Sequence, residues 1–104
     1  MEGRRASWAT PLLVFVTSSK SGPARRMDST LAHLARKERH RLRLTRVDID
    51  ERPDLADRLG VETVPTLLLV RNRQVVERLE GRASVPRIEA MLDEHLAGAP
   101  VVAA

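Results

Sequence analysis

Lys20-Ser21-Gly22-Pro23-Ala24 joins an apolar run to a helical pattern, and the interpretation of the whole chain starts from this segment. Residues 12–16 before it are continuously apolar, which is typical of a central strand buried on both faces. Gly22-Pro23 begins a helix, because proline is tolerated in the first helical turn. The apolar stripe of that helix is formed by Met27, Leu31, Leu34 and Ala35. The sequence thus predicts a strand, a turn and a helix in succession.

The next segments predict a second strand and a short helix. The strand is marked by Leu42, Leu44, Val47 and Ile49, and with the preceding helix it completes a strand-helix-strand unit. The short helix covers residues 54–59, with Pro53 in its opening turn. Gly60 suits the left-handed position at its C-terminal end.

A hairpin and a last helix complete the pattern. Residues 66–70 and 74–79 predict two strands, joined by a tight turn at Asn72-Arg73. Ser84 is a candidate N-cap for the helix, with Pro86 in the first turn. The apolar face of this helix comprises Ile88, Met91, Leu92 and Leu96, and Gly98 ends it.

Composition limits the possible classes of protein. The 104 residues, of which 42% are hydrophobic and 31% charged, suffice for one soluble domain. The absence of cysteine excludes a disulfide, a thiolate nucleophile and a thiolate metal site. His33, His40 and His95 lack the spacing of a two-histidine metal site, so we expect no metal and no cofactor. We also expect a cytoplasmic chain without a membrane span, because no apolar run approaches the required length.

Four short motifs in this order resemble the thioredoxin family. They are Ser21-Gly22-Pro23-Ala24 at the place of the family's Cys-Gly-Pro-Cys, Val47-Asp48-Ile49-Asp50 for its strand ending in aspartate, Val64-Pro65-Thr66-Leu67 for its Ile/Val-Pro-Thr segment, and Gly81 after the hairpin. The intervals between them match the family without an insertion over residues 11–96. The resemblance implies a minimal α/β thioredoxin-like fold, in which a four-stranded mixed β-sheet is flanked by three helices.

These boundaries divide the chain into three parts. We predict a flexible N-terminal arm over residues 1–10, a thioredoxin-like domain over residues 11–97 and a frayed tail over residues 98–104. Trp8 stands out in the polar and basic arm. Its favoured role is an anchor that packs the arm against the domain, and binding a partner is the alternative.

The departures from the family decide the chemistry. Thiol–disulfide exchange needs one thiolate to attack and a second thiol to resolve the mixed disulfide, and Ser21 and Ala24 stand at those two positions. The resemblance also places Phe15 where the family has a buried, proton-moving aspartate, and Lys20 where it has a tryptophan. Both cysteines, the aspartate and the tryptophan are absent together. We therefore favour a natural loss of the cysteines over their replacement by engineering. No histidine is positioned to activate Ser21 as a nucleophile, so we predict no catalytic residue and favour a helix-capping role for Ser21.

The resemblance further implies a site for peptides. In the family, the proline matching Pro65 follows a cis peptide bond, and the segments around it grip an extended peptide. The predicted groove residues are Lys20, Ser21, Gly22, Pro23, Thr63, Val64, Pro65 and Gly81. Lys20 and Arg82 at the rim favour an acidic peptide. The first hypothesis is therefore a non-catalytic module that binds a protein or an extended peptide.

Three alternatives remain open at this point. The first alternative is a disulfide oxidoreductase whose cysteines were lost or mutated. It predicts that activity returns once cysteines are restored at Ser21 and Ala24. The basic residues 36–46 could contact a polyanion, although nucleic acid is disfavoured because the chain has no aromatic platform for stacking bases. The family's additional N-terminal strand and helix cannot be built from ten residues. The strand over residues 42–49 would then be an exposed edge, so the chain is predicted to be a monomer or a homodimer through that edge.

Overall fold

The computed structural model describes residues 10–96, so the predicted arm, apart from Thr10, and the predicted tail lie outside the described residues. Seven elements follow one another: β1 (Leu12–Thr17), α1 (Gly22–Lys37), β2 (Arg43–Asp48), α2 (Pro53–Leu59), β3 (Thr66–Arg71), β4 (Gln74–Glu80) and α3 (Val85–Leu96). Every predicted strand and helix is present, and the boundaries differ from the prediction by one or two residues. The predicted α/β architecture is confirmed.

The four strands form one mixed sheet in the order β2-β1-β3-β4. β1 runs parallel to β2 and antiparallel to β3, and β3 runs antiparallel to β4. Val16 near the end of β1 lies opposite Val47 of β2 and Thr66 of β3. The chain therefore leaves β1 and β2 and enters β3 at the same end of the sheet.

The side chains of β1 alternate between two apolar cores, as a strand buried on both faces requires. Leu13 and Phe15, each 1% exposed, face the core that α1 and α3 cover. Val14 and Val16 face a second core that contains leucines of α2. The helices thus lie on both faces of the sheet, two on one face and one on the other.

Local turn chemistry explains how the elements end. Gly60 adopts φ 68° after α2, and Asn72 and Arg73 both have positive φ in the β3–β4 turn, which is the conformation of a tight hairpin turn. The Ser84 hydroxyl accepts a hydrogen bond from the Arg87 amide at 3.3 Å. The predictions for Gly60, for the hairpin turn and for the Ser84 cap are confirmed.

Two strands form the edges of the sheet within residues 10–96. β2 pairs only with β1 in this range, and the side chains of Arg43, Thr45 and Arg46 on it are exposed. β4 forms the other edge and exposes Val75 and Val76. Charged side chains on an edge strand disfavour pairing with another chain. In the same range, no helix combines the length and the apolar character that crossing a membrane requires.

An arginine of β4 binds the C-terminal end of α2. The Arg78 guanidinium donates from Nη1 to the Gly60 carbonyl at 3.1 Å and from Nη2 to the Leu59 carbonyl at 3.0 Å. The last carbonyls of a helix have no partner within the helix, so this side chain supplies donors they lack. Arg78 thereby ties α2, which is only seven residues long, to the sheet.

We predict that Arg78→Ala lowers the free energy of unfolding by about 1 kcal/mol, because two helix-end carbonyls lose their charged donor. Chemical denaturation followed by circular dichroism measures the change. Arg58→Ala is the matched control, because this exposed arginine lies on α2 itself, and it should change stability by less than about 0.5 kcal/mol. Equal losses in both variants would show that the two hydrogen bonds do not stabilise the fold.

Candidate functional site

Three segments meet at the end of the sheet where β1 ends. Val16 lies opposite Thr66, and Thr66 lies opposite Glu80, so the loop after β1, the segment before β3 and the residue after β4 are neighbours. The Gly81 amide donates to the Pro65 carbonyl at 2.8 Å. We call this region the candidate groove and define it by the residues predicted from the sequence: Lys20, Ser21, Gly22, Pro23, Thr63, Val64, Pro65 and Gly81.

Ser21 caps α1. Its backbone is extended, with φ −101° and ψ 113°, and its hydroxyl accepts a hydrogen bond from the Ala24 amide at 3.2 Å. Pro23 occupies the first turn, and Ala24 is fully buried. Among the hydrogen bonds of residues 10–96, none joins Ser21 to a histidine. The geometry is that of a helix cap, as the sequence predicted, and it provides no base to activate the hydroxyl.

A buried serine links the turn to the loop after β2, and the sequence analysis missed it. The Ser18 hydroxyl donates to Asp50 Oδ2 at 2.6 Å and accepts a hydrogen bond from the Lys20 amide at 3.1 Å. Asp48 Oδ1 in turn accepts a hydrogen bond from the Asp50 amide at 2.8 Å. The Asp48-Ile49-Asp50 motif is apparent in the sequence, but Ser18, the partner of Asp50, lies 32 positions away from it. This short network fixes the conformation of the turn that begins α1.

The segment before β3 contains one residue, Val64, whose main chain forms no hydrogen bond with the described part of the chain. The Val64–Pro65 peptide bond is cis, and Pro65 is buried. The Thr66 hydroxyl donates to the Thr63 carbonyl at 2.6 Å. Within residues 10–96, neither the amide nor the carbonyl of Val64 forms a hydrogen bond. Val64 therefore offers one donor and one acceptor at the edge of the groove, which are the groups that an extended peptide can bind.

Gly81 follows β4 and lies next to Pro65, to which its amide donates a hydrogen bond. Its φ of 83° lies in the region that favours glycine. A β-carbon built on Gly81 would meet no heavy atom within 4 Å, so the requirement for glycine comes from the backbone conformation and not from crowding. The positive φ turns the chain out of β4 while the Gly81 amide binds Pro65.

The position at which the family resemblance implies a buried acid is apolar in this chain. Phe15, at the position where the family resemblance implied a proton-moving aspartate, is 1% exposed among the apolar side chains of α1 and α3. Its cross-strand neighbours are Arg46 and Leu67. Phe15 contributes to packing and has no titratable proton, so the site lacks both the thiols and the acid of dithiol chemistry.

The charges around the groove are few. Lys20 and Arg82 are exposed, and neither forms an ion pair within residues 10–96. Among nearby acids, Asp50 accepts the Ser18 hydrogen bond, and Glu80 lies 3.7 Å from Arg78. Glu62 is exposed two positions before Val64. The surroundings of the groove therefore carry charges of both signs, and Lys20 and Arg82 are the cations among them that form no ion pair within residues 10–96.

The basic stretch over residues 36–46 is partly neutralised. Lys37 pairs with Glu89 at 2.8 Å, and Arg41 bonds Glu38 at 2.7 Å and Asp93 at 3.2 Å. Arg46 forms an ion pair with Asp28. The hydrogen bond to Glu38 raises the pKa of Arg41, and the one to Glu89 raises the pKa of Lys37. Half of the six cations in this stretch therefore already bind carboxylates of the chain, which weakens the polyanion alternative.

One group among the described residues has the composition of a metal site. Glu77, Glu94 and His95 place one ligand atom each within 4.8 Å of the others. However, His95 Nε2 lies 3.0 Å from Glu77 Oε1, and that hydrogen bond lowers the pKa of Glu77. A hydrogen bond between β4 and α3 accounts for the proximity of His95 and Glu77, so we assign no metal to this group.

The sequence is similar to known proteins over most of its length. A sequence model of the family Thioredoxin matches residues 6–94. A thioredoxin-like protein of Synechocystis sp. is 30% identical over 86 residues, which are 83% of this chain and 79% of that protein. Thioredoxin 1 of Nostoc sp. is 26% identical over 86 residues, with 83% of this chain and 80% of that protein covered. Mitochondrial thioredoxin of Mus musculus is 31% identical over 83 residues, which are 80% of this chain and 50% of that protein.

Solved structures agree with the fold. The thioredoxin of Fasciola hepatica superposes with a TM-score of 0.79 at 19% identity, covering 90% of this chain and 88% of that chain. A malarial protein superposes with a TM-score of 0.77 at 22% identity, covering 84% of this chain and 98% of that chain. At these identities the likeness concerns the architecture.

Restoring the two thiols tests whether the scaffold still supports redox chemistry. We predict that the double variant Ser21→Cys, Ala24→Cys forms a disulfide but reduces insulin about a hundredfold more slowly than an intact thioredoxin, because Phe15 offers no acid or base for proton transfer. The single variant Ser21→Cys is the control and should show no turnover, since it has no resolving thiol. Turnover of the double variant at the rate of an intact thioredoxin would contradict this account of Phe15.

Proposed function

The chain belongs to the thioredoxin family, and on that basis we propose that it is a redox-inactive member that binds an extended segment of another protein in the candidate groove. The absence of cysteine removes dithiol exchange, because a hydroxyl cannot form a disulfide. The site thus lacks the thiol chemistry, and the proposed function depends on its peptide-binding geometry alone.

The observation that carries the proposal is that neither the amide nor the carbonyl of Val64 forms a hydrogen bond within residues 10–96. An unpaired amide and carbonyl beside a sheet form the hydrogen bonds by which an extended peptide is gripped, and no thiol takes part in them. The residues next to Val64 are held in place by two bonds already described, Gly81 to Pro65 and Thr66 to Thr63. A site whose surroundings are this well fixed loses little conformational entropy when a peptide binds.

The proposed ligand is an extended segment with a modest excess of acidic side chains. Lys20 and Arg82 are exposed cations without an ion pair among residues 10–96, and Glu62 opposes them in part. Rim charges of this kind affect the association rate and specificity more than affinity. Main-chain pairing at Val64 therefore supplies most of the proposed binding, and the charges select among peptides.

Selection from a displayed library of short linear peptides tests the proposal. We predict that the wild-type chain enriches extended peptides rich in Asp and Glu, and that Lys20→Glu, Arg82→Glu binds them about tenfold more weakly, as expected when two exposed ion pairs become repulsive. Thr63→Trp should also abolish binding. Thr63 is exposed and only its carbonyl is bonded, so the indole shields Val64 while the backbone stays unchanged.

The matched control is Arg36→Glu, Arg39→Glu, which makes the same change in net charge. Both arginines are exposed and lie at the far end of α1 from Ser21, so this variant should retain binding. Circular dichroism establishes that each variant is folded. Enrichment of no peptide by the wild type, or equal binding by the wild type and Thr63→Trp, would reject the groove as the site.

A further inference from the structure

The exposed residues of α1 carry positive charges and no negative one. They recur every three or four positions, as residues on one side of a helix do, and we call them the outer face of α1. The outer face comprises Arg25, Arg26, Ser29, Ala32, His33, Arg36 and Lys37. The helix contains one carboxylate, Asp28, which is half-buried and bound to Arg46 of β2. The charged side chains of the outer face are therefore all basic.

Three arginines of this face remain without a carboxylate partner. Lys37 is bound to Glu89, whereas Arg25, Arg26 and Arg36 form no ion pair within residues 10–96. The Arg26 side chain extends toward the start of the helix, because its Nη1 would lie 3.4 Å from a β-carbon built on Gly22. The helix axis from Gly22 to Arg36 is about 20 Å long at 1.5 Å per residue. The unpaired guanidinium groups are thus distributed along most of α1.

The stability of α1 does not explain two of these arginines. Arg25 and Arg26 lie within the first two turns of the helix, and its first turn contains no acid. Because the N-terminal end of a helix carries a partial positive charge, a cation near it is unfavourable. Arg36 in the last turn is, by contrast, favourably placed. Arg25 and Arg26 therefore raise the electrostatic energy of the free helix, and a bound anion would lower it.

The chemistry of the outer face favours phosphate over other anionic partners. The planar guanidinium group donates paired hydrogen bonds to phosphate oxygens, and a hydroxyl such as that of Ser29 also contacts them. Ala32 is the one apolar residue exposed on α1, so the face lacks the apolar centre of a protein interface and has nothing to insert into a membrane. It has no aromatic side chain on which a base could stack. The contacts it can form are therefore independent of base sequence.

We propose that the outer face of α1 binds a chain of phosphates, which is either the backbone of a nucleic acid or inorganic polyphosphate. Arg25, Arg26 and Arg36 supply the contacts, and their distribution along the helix axis suits a linear polyanion. This site differs from the basic stretch over residues 36–46, half of whose cations bind carboxylates of the chain. It shares no residue with the candidate groove, so it is independent of the proposed function.

Fluorescence anisotropy with a short labelled DNA duplex, and in parallel with labelled inorganic polyphosphate, tests the proposal. For the duplex, we predict that the logarithm of the association constant falls linearly with the logarithm of salt concentration, with a slope of about −2.7 for three phosphate contacts. Duplexes of two unrelated sequences should bind equally. Binding of one polymer alone would support the site and identify the source of the phosphates. Binding of neither polymer at low salt would overturn the proposal.

Two double variants locate the contact. Arg25→Gln, Arg36→Gln removes two of the three contacts, so it should weaken duplex binding at least about tenfold at low salt and bring the slope to about −1. The control Arg58→Gln, Arg87→Gln makes the same change in net charge at exposed arginines of α2 and α3 and should leave the slope unchanged. Thr63→Trp in the candidate groove should bind the duplex as the wild type does. Equal losses in the two folded double variants, or loss of binding in Thr63→Trp, would reject the outer face as the site.

Discussion

β1 is hydrogen-bonded on both sides and buried on both faces, and the positions of the other elements follow from this constraint. Its pairing with β2 and β3 fixes which ends of the strands are neighbours. Its alternating side chains contribute to the two cores, with Leu13 and Phe15 on one face and Val14 and Val16 on the other. An apolar side chain at Phe15 avoids the cost of burying a charged group in this strand. The substitution of phenylalanine for the acid of redox-active relatives is therefore compatible with the fold and incompatible with their proton transfer.

The turn after β1 shows that conformation and chemistry are separable in this fold. A dithiol enzyme needs both the helix-opening turn and two thiols, and here the turn persists through the Ser21 cap and the Ser18–Asp50 hydrogen bond. Neither interaction requires sulfur. The main chain around Val64 and Gly81 likewise owes its position to backbone and hydroxyl hydrogen bonds. The conformation of this surface therefore does not depend on cysteine, and the proposed binding role relies on main-chain groups that are already in place.

The fold was predictable because it rests on local signals. Apolar runs, helical stripes, Gly60, Asn72-Arg73 and Ser84 each identify their element from a few neighbouring residues. The Ser18–Asp50 bond, the Arg78 contacts with α2 and the ion pair between Arg41 and Asp93 join residues far apart in sequence. No short pattern encodes such partners, because they depend on how the elements pack.

The central claim is that the end of the sheet around Val64 binds extended peptides without thiol chemistry. The most direct measurement is amide chemical-shift mapping of the nitrogen-15-labelled protein during titration with a capped peptide of alternating valine and glutamate. The account predicts saturable shifts at the amides of Ser21, Gly22, Ala24, Val64 and Gly81, with little change along β2. Shifts confined to the β2 edge over residues 43–48, or no saturable shift at Val64, would contradict it.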